Sequence, residues 1–178
     1  MKNKIVSLNT NYWADKTITC PYECIKEVFT VAGISDFKND INDYFLYARR
    51  NEVFSEKFIS SVMYNSVVIQ SALKSTYNIY LKPKRFKKLE LVNNKVFGDI
   101  YCLSSLSKEE CVNPYLALKN VFDKVAFDNI EITLFDTIRY AMSPSIDECF
   151  QDNFVQIPTY YKLLEACWLI NERLKENE

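Results

Sequence analysis

Apolar residues recur at helical spacing along most of the chain, and the longest such stretch runs from Phe54 to Tyr77. This stretch contains neither Gly nor Pro, so no residue in it is expected to break a helix. Its apolar residues surround most of the helix instead of forming one stripe, and a helix with that pattern is a buried one. The sequence therefore predicts a central buried helix, around which the other helices pack.

Five further helices are predicted from start signals that precede apolar residues at helical spacing. Pro21, Pro114 and Pro158 each suit the first turn of a helix, where the N–H that proline lacks would have no partner. Ser35 is expected to cap another helix, and Asp128 has a glutamate three residues later, as in a capping box. With the central helix these make six, and a short capped piece before the last helix would make seven.

The stretch 86–103 departs from the helical pattern. Leu89 and Leu91 alternate with polar residues, and Asn93 and Asn94 follow as a pair that can adopt the backbone angles of a tight turn. A second, partly alternating segment comes after this pair. These features predict a β-hairpin at 86–103.

A chain of 178 residues is long enough for one domain with its own core. We therefore expect a mainly α fold: a single-domain multi-helix bundle of six to seven helices around a central buried helix, with one β-hairpin. A polar N-terminal arm is expected to attach to the body through Tyr12, Trp13 and Ile18. The predicted regions are the N-terminal arm at 1–18, a helical half at 19–78, a basic loop and β-hairpin at 79–105, and an acidic helical half at 106–178.

Charge is spread unevenly along the chain, although the formal net charge is only −1. Residues 1–88 hold fourteen Lys and Arg against eight Asp and Glu, whereas residues 89–178 hold eight against fifteen. Such asymmetry is typical either of a basic binding face or of two halves that attract each other. The second interpretation is favoured, because a net charge near zero gives no general attraction to a polyanion.

The sharpest local feature is a short basic run, residues 82–88, which follows the predicted central helix. Lys and Arg make up five of its seven residues and one is aromatic, so it could neutralise phosphates and stack on an unpaired base. A solvated loop, or a loop docked against the acidic half, explains the same run. The candidate nucleic-acid-binding residues are Lys82, Lys84, Arg85, Phe86, Lys87 and Lys88.

The composition excludes several kinds of chemistry. The chain has no His, which excludes His-based metal sites, Ser-His triads and Cys-His dyads. Gly33 and Gly98 are the two glycines, and they lie too far apart to form a phosphate-binding loop. Cys20 and Cys24 would share a helix face, but no second pair completes a zinc site, and buried thiols explain them better. We therefore expect no metal site and no cofactor.

Carboxylates are frequent in the second half of the chain, and a solvated acidic face is the preferred interpretation because such residues are usually exposed. Cys20, near a predicted helix N-terminus, is the only thiol considered as a nucleophile. Helix capping and core burial explain its context better, so no catalytic residue is assigned. The acidic residues considered are Asp123, Asp128, Glu131, Asp136, Asp147, Glu148 and Asp152.

The leading functional hypothesis is a small, non-enzymatic cytoplasmic protein that binds or regulates through protein–protein contacts, with an unknown protein partner or by self-association. A membrane role is not expected, because no signal-peptide pattern and no run of about eighteen apolar residues is present. Tyrosines on the predicted helices could form an interaction patch: Tyr44, Tyr47, Tyr64, Tyr115, Tyr140, Tyr160 and Tyr161. Nucleic-acid association through 82–88 is the alternative hypothesis. An enzyme that uses carboxylates or Cys20 is the third.

Overall fold

A computed structural model of the chain describes residues 5–50, 53–54, 59–82, 103–143 and 155–176. These residues form a multi-helix bundle with no β-strand, so the expected mainly α fold is confirmed. The predicted β-hairpin at 86–103 lies outside the described residues except for Leu103, which belongs to no strand. The helices are α1 (Pro21–Val31), α2 (Ile34–Tyr47), α3 (Ile59–Tyr80), α4 (Lys108–Val112), α5 (Pro114–Phe122), α6 (Phe127–Ala141) and α7 (Ile157–Glu176), and a 3-10 turn spans Thr10–Tyr12.

The three helix starts predicted from proline are confirmed. Helix α1 begins at Pro21 and α5 at Pro114, where the side chain of Asn113 accepts a hydrogen bond from the N–H of Tyr115 at 3.2 Å. Helix α7 begins at Ile157 and has Pro158 as its second residue. Proline is suited to these positions because the first N–H groups of a helix have no partner within it.

Two predicted caps are each wrong by two residues. Helix α2 is capped by Gly33 instead of Ser35, and a carboxylate oxygen of Asp36 accepts the N–H of Gly33 at 3.0 Å. Helix α6 begins at Phe127, so Asp128 lies in its first turn and is not the cap. The predicted capping box of Asp128 and Glu131 is therefore also wrong.

The sequence analysis missed the short helix α4, although its signal is present. Ser107 caps α4 and accepts the N–H of Glu110 at 3.2 Å, while the carboxylate of Glu110 accepts the N–H of Ser107 at 2.8 Å. This reciprocal pair is the capping box that the spacing of a serine and a glutamate three residues apart indicates.

The prediction of a central buried helix is confirmed for the second half of α3 and wrong for its first turns. Ile59, Met63 and Tyr64 are exposed, whereas most residues from Ser66 to Ile79 are buried. Helix α3 packs most extensively against α1 and also contacts α5 and α7. The buried half is therefore the part that the other helices surround.

Helix α7 shares the centre of the bundle with α3. It contacts α1, α2, α3, α4 and α5. Its core residues continue to Leu174, so the last turns of α7 are packed against the bundle. The core thus lies between two long helices instead of around one.

Two ion pairs join the basic first half of the chain to the acidic second half. The ammonium group of Lys38 lies 2.6 Å from Glu165, and that of Lys74 lies 3.1 Å from Glu131. Both lysines are largely buried, so these pairs are less screened by salt than surface pairs. They support the interpretation that the two halves attract each other.

Candidate functional site

Helix α6 carries two large apolar side chains on its outer side. Ile130, Leu134 and Ile138 face the core and are buried, whereas Ile132 is 57% exposed and Phe135 is 59% exposed. Residues three apart on a helix are surface neighbours, so Ile132 and Phe135 form one apolar pair. Because an α-helix repeats every 3.6 residues, Ile130, Leu134 and Ile138 lie together on the side that faces the core. Ile132 and Phe135 lie on the other side of the helix.

A charged residue stands at each end of this apolar pair. Asp128 lies four residues before Ile132, in the first turn of α6, and Arg139 lies four residues after Phe135, in the last turn. Each sign suits the partial charge of the helix terminus that it occupies. We call Asp128, Ile132, Phe135 and Arg139 the α6 stripe, because these spacings place them along one side of the helix.

The guanidinium group of Arg139 is held in place by its neighbours. It lies 4.7 Å from the ring centre of Tyr140, donates to the Tyr140 hydroxyl at 3.0 Å and lies 3.4 Å from a carboxylate oxygen of Asp136. Arginine has five N–H donors in a planar fork, so these contacts leave capacity for a further carboxylate. The stripe therefore ends in a cation of fixed direction at the protein surface.

The α6 stripe is a small exposed apolar surface with a charged residue at each end. Apolar side chains rimmed by charged ones are typical of interaction sites. Completing the burial of Ile132 and Phe135 would contribute about 1–3 kcal/mol, since full burial of one such side chain is worth about 1.5–3 kcal/mol.

The tyrosines do not form the expected patch within the part of the chain that the structure describes. Of the seven helical tyrosines considered, Tyr64 alone is exposed. Tyr44, Tyr47 and Tyr160 are buried, and the other three are half-buried. The exposed apolar area on α6 comes instead from isoleucine and phenylalanine.

A buried carboxylate on α7 forms the first of two polar clusters. Glu165 is fully buried; one of its oxygens lies 2.6 Å from the ammonium group of Lys38, and the other accepts the N–H of Ser105 at 2.9 Å. Lys38 also donates to the Ser104 hydroxyl at 3.3 Å and lies 4.7 Å from the ring centre of Tyr161. Both carboxylate oxygens are thus occupied by groups of the protein.

A second polar cluster surrounds Glu110 of α4. Its member on α7 is Lys162, which lies about one helical turn before Glu165. The ammonium group of Lys162 lies 2.8 and 2.9 Å from the two carboxylate oxygens of Glu110, and the side-chain amide of Asn120 donates to one of them at 2.8 Å. Burial by itself would raise the pKa of Glu110, but hydrogen bonds from Lys162, the Ser107 N–H and Asn120 outweigh it and hold that pKa below its usual value. Glu110 is therefore ionised at neutral pH.

These clusters fasten the segment around α4 to the bundle. Glu165 binds the N–H of Ser105, Lys162 binds the carboxylate of Glu110, and Arg173 donates to the carbonyl oxygens of Cys111 and Val112 at 2.7 and 2.9 Å. The Arg173 contacts satisfy carbonyls at the C-terminal end of α4, where a cation is also favoured. The buried charged side chains of these clusters therefore stabilise the position of α4 on the bundle.

The candidate nucleic-acid-binding residues fall mostly outside the described residues. Lys82 is half-buried directly after α3. Lys84, Arg85, Phe86, Lys87 and Lys88 lie in the segment that is not described. Nucleic-acid binding through this run stays a prediction from the sequence.

The cysteines that were considered differ in environment. Cys20 is exposed at the N-cap of α1, and Cys24 is buried. Burial raises the pKa of Cys24 to about 11, so this thiol is protonated at neutral pH and a poor nucleophile. Across the described segments, no group of three Cys, Asp or Glu side chains is arranged to hold a metal ion.

The acidic residues of the second half are dispersed among separate partners. Asp123 accepts the Tyr80 hydroxyl at 2.8 Å, Glu131 pairs with Lys74, and Asp136 pairs with Arg139. The remaining candidates, Asp147, Glu148 and Asp152, lie outside the described residues.

Comparisons of the chain with protein-family models, curated proteins and solved structures found no match. Among the described helices, none combines the length and apolar character needed to cross a membrane.

Proposed function

We propose that this chain is a non-enzymatic binding protein that acts through protein–protein contacts, with the α6 stripe as its contact surface. The observation that carries the proposal is the exposure of Ile132 and Phe135, more than half each, as neighbours on one helix. A water-exposed pair of this size gains free energy when a partner covers it.

The partner that fits the α6 stripe best is a second copy of the same chain. In a symmetric dimer, two α6 helices would cross in opposite directions about a twofold axis midway between Ile132 and Phe135. Because Asp128 and Arg139 stand at equal distances outside that pair, the axis places Ile132 against Phe135 of the second copy and Asp128 against Arg139 of the second copy. The stripe is thus complementary to itself, because apolar side chains meet apolar ones and opposite charges meet, as a twofold interface requires.

The proposed dimer is a weak one. Helix α6 has 15 residues and is about 22 Å long at 1.5 Å per residue, so one helix pair buries a small interface. Interfaces below about 1,200 Å² are typical of weak, transient complexes, so we expect the dimer to dissociate on dilution. A dimer of this strength responds to changes in protein concentration.

Sedimentation equilibrium over a concentration series tests the proposal with two variants of similar surface chemistry. Phe135→Ser removes an apolar group from the stripe, whereas Val112→Ser removes one that is 53% exposed on α4. We expect the wild type and Val112→Ser to dimerise alike, and Phe135→Ser to dimerise at least tenfold more weakly, since about 1.4 kcal/mol corresponds to tenfold. A wild type that stays monomeric throughout, or equal dimerisation of the two variants, contradicts the proposal.

A further inference from the structure

The N-terminal arm lies along α3 and is held by side chains of that helix. The side-chain amide of Asn78 accepts the N–H of Val6 at 2.9 Å and donates to the carbonyl oxygen of Val6 at 2.7 Å. Further along, the hydroxyl of Ser71 donates to the carbonyl oxygen of Leu8 at 2.7 Å. The arm therefore runs in the direction opposite to α3.

The same line of side chains continues to the next part of the arm. The Trp13 indole N–H donates to the hydroxyl of Ser71 at 2.9 Å, and the hydroxyl of Tyr64 donates to the carbonyl oxygen of Trp13 at 3.4 Å. Tyr64, Ser71 and Asn78 are spaced by seven residues, which is close to two helical turns and places them on one face. Trp13 and Ile18 are buried as expected, whereas Tyr12 is 77% exposed and is not an anchor.

The contacts of Val6 establish the backbone conformation of the arm. The N–H and the carbonyl of one residue point to the same side only when the backbone is extended, and Asn78 binds both groups of Val6. The carbonyl of Leu8 points to the same side, toward Ser71. Successive residues of an extended chain direct their backbone groups to opposite sides, so those of Ser7 point away from α3.

The outer edge of the arm has backbone groups available for pairing. Ser7 is exposed, and within the described residues its N–H and carbonyl oxygen have no hydrogen-bond partner. An extended chain with such an edge is a template on which another strand can form. The side chains of α3 occupy the inner edge in the way that a neighbouring strand would.

A half-open pocket lies beside this edge. It has a volume of about 670 Å³ and is lined by residues 5–12 on one side and by Thr17, Ile18 and Thr19 on the other. Among the lining residues that the structure describes, none carries a charge. We call this pocket the arm groove.

We propose that the arm groove binds an extended peptide, which adds to the outer edge of the arm as a β-strand. The N–H and carbonyl oxygen of Ser7 exchange hydrogen bonds with one residue of the peptide, as in an antiparallel ladder. The uncharged lining selects peptides whose central residues are neutral, because a charged side chain would lose water without gaining an opposite charge. This site is independent of the α6 stripe.

A displayed library of random heptapeptides, selected on the immobilised full chain, tests the proposal. We expect enrichment of peptides with uncharged central residues. The affinity of an enriched peptide is then measured by fluorescence anisotropy on two variants, Ser7→Pro and Ser7→Ala. Proline at this position removes the N–H that is proposed to pair with the peptide, and Val6, being extended, tolerates a following proline.

The two variants separate backbone pairing from side-chain contact. We expect Ser7→Pro to bind at least tenfold more weakly than Ser7→Ala, and Ser7→Ala to bind like the wild type. A second measurement uses the wild-type protein alone, with the selected peptide N-methylated at alternate residues. Methylation removes peptide donors, so we expect one of the two alternate patterns to abolish binding and the other to have little effect.

Three results would overturn the proposal. They are a library that yields no enriched peptide, equal binding by Ser7→Pro and Ser7→Ala, and binding that withstands both methylation patterns. The methylation result needs no protein variant, so it decides the question even when Ser7→Pro alters the stability of the arm.

Discussion

Individual buried polar residues show where this chain deviates from a simple apolar core. Asn171 is fully buried on α7, and its side-chain amide donates to Glu172 at 3.2 Å. Its carbonyl oxygen is a buried side-chain atom for which the described part of the chain provides no hydrogen-bond partner. Burying such an atom without a partner costs free energy.

Replacing Asn171 by leucine should leave the free energy of unfolding equal or raise it by about 1 kcal/mol, because the two side chains have similar shapes and leucine has no polar atom to desolvate. Urea unfolding followed by circular dichroism measures the difference. Asn171→Ala is the control, since it removes the same polar group but leaves a cavity, and we expect it to be less stable than Asn171→Leu. A loss above about 1 kcal/mol in Asn171→Leu would mean that the oxygen has a partner.

Glu110 makes the stability depend on pH in a defined direction. The pKa of this carboxyl group is lowered from the ordinary value of 4.5 in the folded chain, so its contribution is present above that value and is lost as the pH falls through the folded-state pKa. We expect Glu110→Gln to be less stable than the wild type by about 1–3 kcal/mol at pH 7. The difference should shrink below pH 4.5.

Chemical unfolding of both proteins between neutral pH and pH 3 would measure this narrowing gap. Glu109, exposed and adjacent, provides the matched control, and Glu109→Gln should change the stability much less than Glu110→Gln does. A gap between Glu110→Gln and wild type that stays constant with pH would contradict the assigned role of Glu110. The local signal of a capping box could predict the cap at Ser107, but not the contacts with Lys162 and Asn120, which need the folded chain.

At the scale of helices and segments, local sequence signals predicted where helices begin better than they predicted which side chains are buried and what they contact. Proline at Pro21 and Pro114 indicates a start because its effect on the backbone is local. The burial of α3 was predicted from its apolar pattern, yet Ile59, Met63 and Tyr64 in its first turns are exposed. The attachment of the arm was predicted through aromatic and apolar residues, whereas the polar residues Ser71 and Asn78 provide most of its hydrogen bonds.

Removing the two hydrogen bonds between the Asn78 side chain and the Val6 backbone should release the arm from α3. Asn78→Leu keeps the buried volume but eliminates both hydrogen bonds to the Val6 backbone, so the Val6 amide should exchange its hydrogen at least tenfold faster, as about 1.4 kcal/mol of lost protection implies. Amide hydrogen exchange followed by NMR measures the rate. Exchange in core amides of α7 serves as the internal control and should change little. An unchanged rate at Val6 would show that the arm is held by other contacts.

At the scale of the whole molecule, the uneven charge of the sequence has one visible structural consequence. Lys38 and Lys74 from the basic half are paired with Glu165 and Glu131 from the acidic half. The sequence could indicate that the halves attract each other, but not which residues meet, because pairing depends on helix packing. The sequence likewise could not indicate that Ile132 and Phe135 are exposed, since both residues fit the apolar pattern of an ordinary helical segment.

The nucleic-acid alternative makes a distinct prediction for the whole chain. Binding through the basic run should be measurable by fluorescence anisotropy with single-stranded RNA or duplex DNA at low salt, and should weaken steeply as salt rises. Reversing Lys84, Arg85, Lys87 and Lys88 to glutamate should abolish it. The absence of wild-type binding at low salt would eliminate this alternative.

The measurement that tests the proposed function most directly is a charge exchange across the proposed twofold axis, followed by sedimentation equilibrium. Asp128→Arg and Arg139→Asp each bring like charges together in the proposed dimer, and each should weaken dimerisation about tenfold, since every charge pair occurs twice. The double variant restores opposite charges and should dimerise within about threefold of the wild type. Thermal unfolding of each variant verifies that α6 is intact. A double variant that dimerises no better than the single ones would contradict self-association through the α6 stripe.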